Sequence, residues 1–397
     1  MTTDNIKTVC EENVLHTYNR FPLVIEKGEG VRVTDTDGRV YLDMAAGIAV
    51  FALGYHYPGF DEALKAQIDK VIHTSNLYYN VPMAEAAAKV VAASGMAKVF
   101  FTNSGAEAIE GAVKAARKYA YDRDGTTDHE IIAMKNSFHG RTVGALSVTG
   151  NDHYQEPFRP LMGGVRFADF NDFDSVLAQV SDKTCAIIME TVQGEGGIHP
   201  ADAAFLKKVR QLCDEQDILL ILDEIQCGMG RTGRLWAFDH YGIRPDIMTT
   251  AKALGCGVPV GAFLLNDKAA AHSLVPGDHG TTYGGNPLAM AAVSAVFDIF
   301  RDNDIVAQAA AAGDYLAAGL DKLAAAHSCV LEHRGLGLMR GLALDPGLPV
   351  SEVITRARQK GLLVISAGGN VLRLVPPLII TEADADECLA ILDECLA

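Results

Sequence analysis

Short apolar runs recur through the chain, and each closes on polar or glycine-rich residues. The runs near Val99, Ile131, Ala186, Ile218, Asp246 and Gly261 alternate with stretches of helical spacing. Such alternation predicts a mostly parallel sheet covered by helices on both faces, the α/β class. Ile218-Leu219-Leu220-Ile221-Leu222 has no polar alternation, as a strand buried on both faces requires. From about Asn286 the spacing turns helical, Ala-rich through Ala326, and short strands are expected at 337–342 and 371–374, separated and followed by helices. No repeat, low-complexity tract or Pro/Ser-rich linker interrupts the pattern.

The residues that close these runs carry the chemistry. The run at Ile218 ends in Asp223-Glu224-Ile225-Gln226, and Lys252 follows within Ala251-Lys252-Ala253-Leu254-Gly255. An acid and an amine so placed point to pyridoxal phosphate. That cofactor needs a carboxylate to keep its pyridine nitrogen protonated and an amine to hold its aldehyde as a Schiff base. Each residue alone also has an ordinary reading, Asp223 as a turn cap and Lys252 as a solvated charge. Upstream, Thr102-Asn103-Ser104-Gly105-Ala106-Glu107 leads from a strand into a helix. Ser104 and Glu107 have capping-box spacing, which leaves the N–H groups of Gly105 and Ala106 free for a phosphate, although a capping box also serves ordinary helices. After the next strand, Phe138-His139-Gly140-Arg141-Thr142 offers a ring to lie on a flat cofactor and a guanidinium to grip a carboxylate.

Taken in order, five segments resemble the class III, ornithine-type aminotransferases, which have the aspartate-aminotransferase (type I) fold. They are Phe101-Thr102-Asn103-Ser104-Gly105-Ala106-Glu107-Ala108; Phe138-His139-Gly140-Arg141-Thr142; Leu222-Asp223-Glu224-Ile225-Gln226 with Gly228-Met229-Gly230-Arg231-Thr232-Gly233; Ala251-Lys252-Ala253-Leu254-Gly255; and Thr281-Thr282-Tyr283-Gly284-Gly285-Asn286-Pro287. The separation of 29 positions from Asp223 to Lys252 is similar to the family's spacing. Cys256 departs from it, standing where a glycine is usual.

The resemblance implies a role for each residue. Lys252 holds the cofactor and shuttles the proton, Asp223 pairs with the pyridine nitrogen, and Gln226 bonds the ring hydroxyl. Phe138 and Ile225 sandwich the ring, Gly105 and Ala106 hold the phosphate, and Ser104 and Glu224 complete the cofactor contacts. Thr282 reaches the phosphate of a neighbouring subunit, which makes the active unit a homodimer. Residues 51–285 are expected as the large cofactor domain. Residues 1–50 and 286–397 are expected as a small α+β domain that supplies Arg373 and Tyr18 to the substrate, with Thr281 and His139 as further substrate contacts.

Two arginines suit two unlike substrates. Glutamate reacts at its α-amine and presents one carboxylate beside the reacting carbon and one far from it, whereas an N-acylated ω-amino acid presents only the far one. Arg141 serves the far carboxylate of both. Arg373 serves the near one and is an unpaired buried charge when the ω-amine is bound. Glu195, in Gln193-Gly194-Glu195-Gly196-Gly197, resembles the family's switch acid that covers this arginine in one half-reaction. The His form of the 138–142 segment, Ala46-Gly47-Ile48-Ala49-Val50, and Gly368-Gly369-Asn370-Val371-Leu372-Arg373 resemble the branch acting on acylated ω-amines. Acetyl- and succinylornithine, succinyl-diaminopimelate, ornithine and 4-aminobutyrate remain open as donors, as does a 2,1-aminomutase on the same fold.

Composition narrows the partners. A 397-residue chain with formal net charge −16 lacks the basic surface that nucleic acid or an anionic membrane demands, so local arginines must attract an anionic substrate. Eight cysteines without a C-x-x-C pair and an N-terminus without a basic-then-apolar leader lead to the expectation of a reduced, cytoplasmic enzyme.

Overall fold

The computed structural model describes residues 1–397. Its centre is a seven-stranded sheet of β1 (Lys98–Thr102), β2 (Glu130–Met134), β3 (Val165–Ala168), β4 (Thr184–Glu190), β5 (Leu219–Asp223), β6 (Ile247–Thr250) and β7 (Gly261–Leu265), in the order β1-β7-β6-β5-β4-β2-β3. All neighbours are parallel except β7, which runs against both β6 and β1. β4, β5, β6 and β7 are buried along their whole length.

The alternation of side chains along a strand divides the core. Leu220 and Leu222 join Ile187, Met189, Met248 and the helix residues Phe205 and Val209 on one face. Leu219 and Ile221 join Ile131, Ile188, Phe263 and the helix residues Ile109, Ala112 and Ala116 on the other. The second set comes from the helix Gly105–Asp124, whose small Ala-rich face lets it lie close to the sheet. Gly111 is one point of contact, for a Cβ there would meet the Phe263 ring at 2.4 Å or less from two of its atoms.

Two four-stranded sheets flank the central one. In the first, the antiparallel strands Ile25–Glu29, Arg32–Asp35 and Val40–Asp43 are closed by Leu362–Leu363, which pairs in parallel with Leu42 and Asp43. The second is antiparallel and comprises Val330–Leu336, Met339–Leu344, Val371–Leu374 and Ile365–Ala367. The expected strand at 337–342 is therefore shifted and turns into a hairpin. One helix lies just past the expected division at residue 286. The helix Pro287–Asp302 packs on Phe60–Ile68 and Val81–Ser94.

Just beyond Val40–Asp43 the chain takes four successive left-handed residues, Ala46 (φ 48°), Gly47 (64°), Ile48 (66°) and Ala49 (63°). Each non-glycine there costs about 1–2 kcal/mol. Asp43 offsets part of this: Oδ1 accepts the N–H groups of Ala45 and Ala46, each at 2.9 Å, and Oδ2 accepts the Tyr55 hydroxyl at 2.9 Å. The turn delivers Val50 to the wall of the main cavity. No helix is long and apolar enough to cross a membrane.

Candidate active site

Parallel strands end at a common edge, and ligands of open α/β sheets bind outside that carboxyl edge. Here β4 and β5 end in register, Glu190 beside Asp223. The edge opens into a cavity of about 390 Å³, lined among others by Gly105, Ala106, Phe138, Arg141, Ile225 and Lys252.

Asp223 is buried and held on all sides. Its Oδ1 accepts the Ile225 N–H at 3.0 Å and the Thr249 hydroxyl at 3.1 Å, and its Oδ2 meets His139 Nδ1 at 2.7 Å. The imidazole has no exposed side-chain surface, and burial works against its charge. The hydrogen bond and charge of Asp223, with Glu190 nearby, outweigh this and raise its pKa. The pair therefore fixes the rotamer of Asp223. Glu190, in turn, accepts the N–H groups of Phe138 and Gly194, each at 3.1 Å.

Lys252 opens a short helical turn, Lys252–Leu254, with φ 45°. A non-glycine in that region is strained, and such strain collects at functional positions. Burial depresses the amine below the ordinary lysine range; Glu195 pulls it back up and Arg373 pushes it further down. A less basic amine spends more time as the free base that attacks a carbonyl.

Ser104 caps the helix Gly105–Asp124 by accepting the Glu107 N–H at 3.3 Å. The reciprocal half of the expected capping box is displaced by one residue, because Glu107 accepts the Asn103 N–H instead, at 2.6 Å. A Cβ at Gly105 would stand 2.9 Å from Ile225 Cδ1. Only glycine leaves the first turn open there, so its N–H groups can meet an anion backed by the positive end of a 20-residue helix. An anion cradle, a buried acid, an amine of depressed basicity and the flanking Phe138 and Ile225 match the phosphate, ring nitrogen, aldehyde and flat faces of pyridoxal phosphate. The residues fit the group.

The two arginines differ sharply. Arg141 is exposed, with its guanidinium 3.7 Å from the Tyr154 ring centroid and 5.2 Å from that of Phe138. Arg373 is 3% exposed. It is bonded to both Glu195 oxygens, and its Nη1 donates to Gln226 Oε1 at 3.1 Å. Burial would raise the Glu195 pKa, but the charge and hydrogen bonds of Arg373 prevail and lower it. Gln226 also donates to Glu195 Oε1 at 3.2 Å, which ties the pair to the cavity wall.

Several expected contacts lie elsewhere. Glu224 faces away from the cavity, its carboxylate accepting the N–H groups of Ala237 at 2.7 Å and Phe238 at 3.0 Å; burial pushes its pKa up to about 8. It braces a turn and does not line the cofactor site. His139 lines the main cavity with its imidazole turned onto Asp223. Thr281 receives Asn103 Nδ2 at 3.2 Å and the Gly284 N–H at 3.1 Å, so its hydroxyl is committed to the loop. Thr282 is exposed and lines a separate cavity with Asn103, Glu107 and Tyr283. Tyr18 is 72% exposed and outside the main cavity. Sequence reading passed over Glu190, Tyr154 and Val50. For Glu190 a signal was present, since it closes a buried apolar run as Asp223 does.

An acid on a strand end, an amine and an anion cradle gathered round one cavity define the pyridoxal-phosphate enzymes of fold type I. Residues 14–396 match the aminotransferase class-III family, and the chain belongs to that family of pyridoxal phosphate-dependent transferases. It is 48% identical over 390 residues, 98% of each chain, to the acetylornithine aminotransferase of Caldanaerobacter subterraneus subsp. tengcongensis. It is 46% identical to that of Methanocaldococcus jannaschii, over 96% of this chain and 95% of the other. The crystal structure of ornithine aminotransferase from Toxoplasma gondii ME49 superposes with a TM-score of 0.96 at 30% identity, covering 100% of this chain and 95% of that one.

Proposed function

We propose that the chain transfers the δ-amino group of N2-acetylornithine to 2-oxoglutarate, giving N-acetylglutamate 5-semialdehyde and glutamate, a step of arginine biosynthesis, as a cytoplasmic homodimer. The observation that carries the substrate reading is the contrast between a free Arg141 and an Arg373 covered by Glu195. An ω-amine without a near carboxylate fits the covered state, and glutamate fits the uncovered one. The identity to acetylornithine aminotransferases over nearly the whole chain supports the acetyl donor.

When bound, pyridoxal phosphate supplies an electron sink for the carbanion left when a proton departs from the amine-bearing carbon. Lys252 Nζ takes that proton and returns it, its depressed basicity favouring the free amine that can act as a base. Asp223, locked by His139, Thr249 and the Ile225 N–H, would hold a proton on the ring nitrogen. Gln226 would meet the ring hydroxyl, and Gly105 and Ala106 would offer N–H groups to the phosphate. Arg141 orients the distant carboxylate of either substrate.

The homodimer reading rests on the Thr282 loop. Asn76 donates to the carbonyls of Thr281 at 3.3 Å and Gly284 at 2.9 Å, joining that loop to a segment whose Leu77, Tyr78, Tyr79 and Val81 are 87%, 68%, 101% and 69% exposed. Contiguous exposed apolar groups of this size mark an interface, and a second copy would bring Thr282 to the neighbouring phosphate. The test is to offer acetylornithine, succinylornithine, succinyl-diaminopimelate, ornithine and 4-aminobutyrate with 2-oxoglutarate. Acetylornithine should give the highest kcat/KM; preference for another amine overturns the substrate assignment.

A further inference from the structure

The carboxylate of Glu190 has no part in the chemistry above, yet it lies between the two walls of the site. Its Oε2 accepts the N–H of Phe138, whose ring flanks the cofactor space, at 3.1 Å. Its Oε1 accepts the N–H of Gly194, the residue before Glu195, at 3.1 Å. One buried side chain thus fastens both the aromatic wall and the loop bearing the acid that covers Arg373. We propose that Glu190 is a positioning residue that couples these two loops and, through Gly194, holds Glu195 over Arg373 in the half-reaction with the ω-amine. The inference rests on the two-arginine reading of substrate choice.

The geometry makes the coupling specific to an ionised carboxylate. Two N–H donors need two acceptor oxygens, and a protonated or amidated side chain turns one end into a donor, so one loop loses its partner. The Glu195 loop has a second tie, the Gly368 N–H on the Glu195 carbonyl at 2.7 Å. Losing the Glu190 bond should therefore loosen the loop without releasing it. Groups facing the carboxylate are His139 on the 138–142 loop, Asp223 at the end of β5, Lys252 on its turn and Cys227 after Gln226. Burial pushes the Glu190 carboxyl up to about 7, Asp223 adds to the rise, and His139 with the two N–H bonds opposes it. The positioning contact should thus fade as pH falls below about 7.

Two measurements test this in the cofactor-loaded enzyme by stopped flow, each half-reaction separately. Glu190→Gln should lower kcat/KM for acetylornithine by roughly tenfold, the usual effect of losing one hydrogen bond to a charged group, while glutamate loses less than about threefold. In the unaltered enzyme the ratio of acetylornithine to glutamate kcat/KM should fall on acidification through about pH 7, and Glu190→Gln should flatten that profile. The substrate amines titrate well above this range and cannot produce the inflection. Equal losses in both half-reactions, or a ratio independent of pH in the unaltered enzyme, would overturn the role of Glu190. A protein inert toward acetylornithine but active with another amine would instead overturn the substrate reading on which the inference stands.

Discussion

The cofactor wall and the substrate wall of this site are built on different principles. On the cofactor side, Asp223 ends a wholly buried strand and every oxygen has a fixed partner. On the substrate side, Arg141 lies exposed on an aromatic ring, and Arg373 reaches in from a separate sheet to be covered by a partly exposed Glu195. The first wall is preorganised, as groups serving charge that develops in a transition state must be. The second has to satisfy two ligands in alternation, so its cation must be masked by something that can leave. A site can be rigid where chemistry is shared and reversible where specificity changes.

Damage to the cofactor wall should strike both half-reactions alike. Lys252→Ala should show the largest effect, lowering both rates by at least about 10²–10⁴-fold and abolishing the visible absorbance of the lysine-bound cofactor. Substantial turnover by this variant would remove the proton shuttle from Lys252. Asp223→Asn keeps the shape but not the charge. Both single-turnover rates should drop by about 10²–10³-fold, while cofactor retention, followed by dialysis and absorbance, falls far less. Near-normal rates would reduce Asp223 to a capping residue.

Damage to the substrate wall should instead be lopsided. Arg373→Ala should cost glutamate at least roughly tenfold in kcat/KM and largely spare acetylornithine, and Glu195→Ala should do the reverse by leaving Arg373 uncovered. Parallel losses would rule out the switch while leaving the family assignment intact. The smallest effect belongs to Tyr154→Leu. A cation–π contact at an exposed site contributes about 0.5–1 kcal/mol, so KM for both substrates should rise roughly two- to fivefold with kcat nearly constant. A change confined to kcat would show that Tyr154 does something other than steady Arg141.

How far the chain could be understood before its structure follows the same divide. The strand ends of the central sheet and their acid, amine and helix N-terminus are local features, so short segments announce them. Glu224 misled because it adjoins Asp223. At a strand end successive side chains point to opposite sides, and two adjacent acids cannot both face one cavity. His139 lines the cavity, but its imidazole is spent on Asp223, a contact 84 positions away. Tyr154 and Glu190 escaped because their meaning comes from contacts with residues 13 and 52 positions away, respectively, Arg141 and Phe138. The strands between residues 25 and 43 escaped too, being short, partly exposed and dependent on a partner at the other end of the chain.

That last pairing bears on how the protein is made. Val40–Asp43 emerges early from the ribosome, but its parallel neighbour Leu362–Leu363 is about 320 residues away and follows only after on the order of tens of seconds at ordinary rates of synthesis. Until then the edge of the N-terminal sheet presents unpaired N–H and C=O groups to any passing strand. Chains halted before residue 362 should therefore be cut readily by protease near residue 40, and chains released beyond it should resist. The N-terminal strands depend on the last tenth of the chain to protect their edge during synthesis, which makes late truncations dangerous out of proportion to their length.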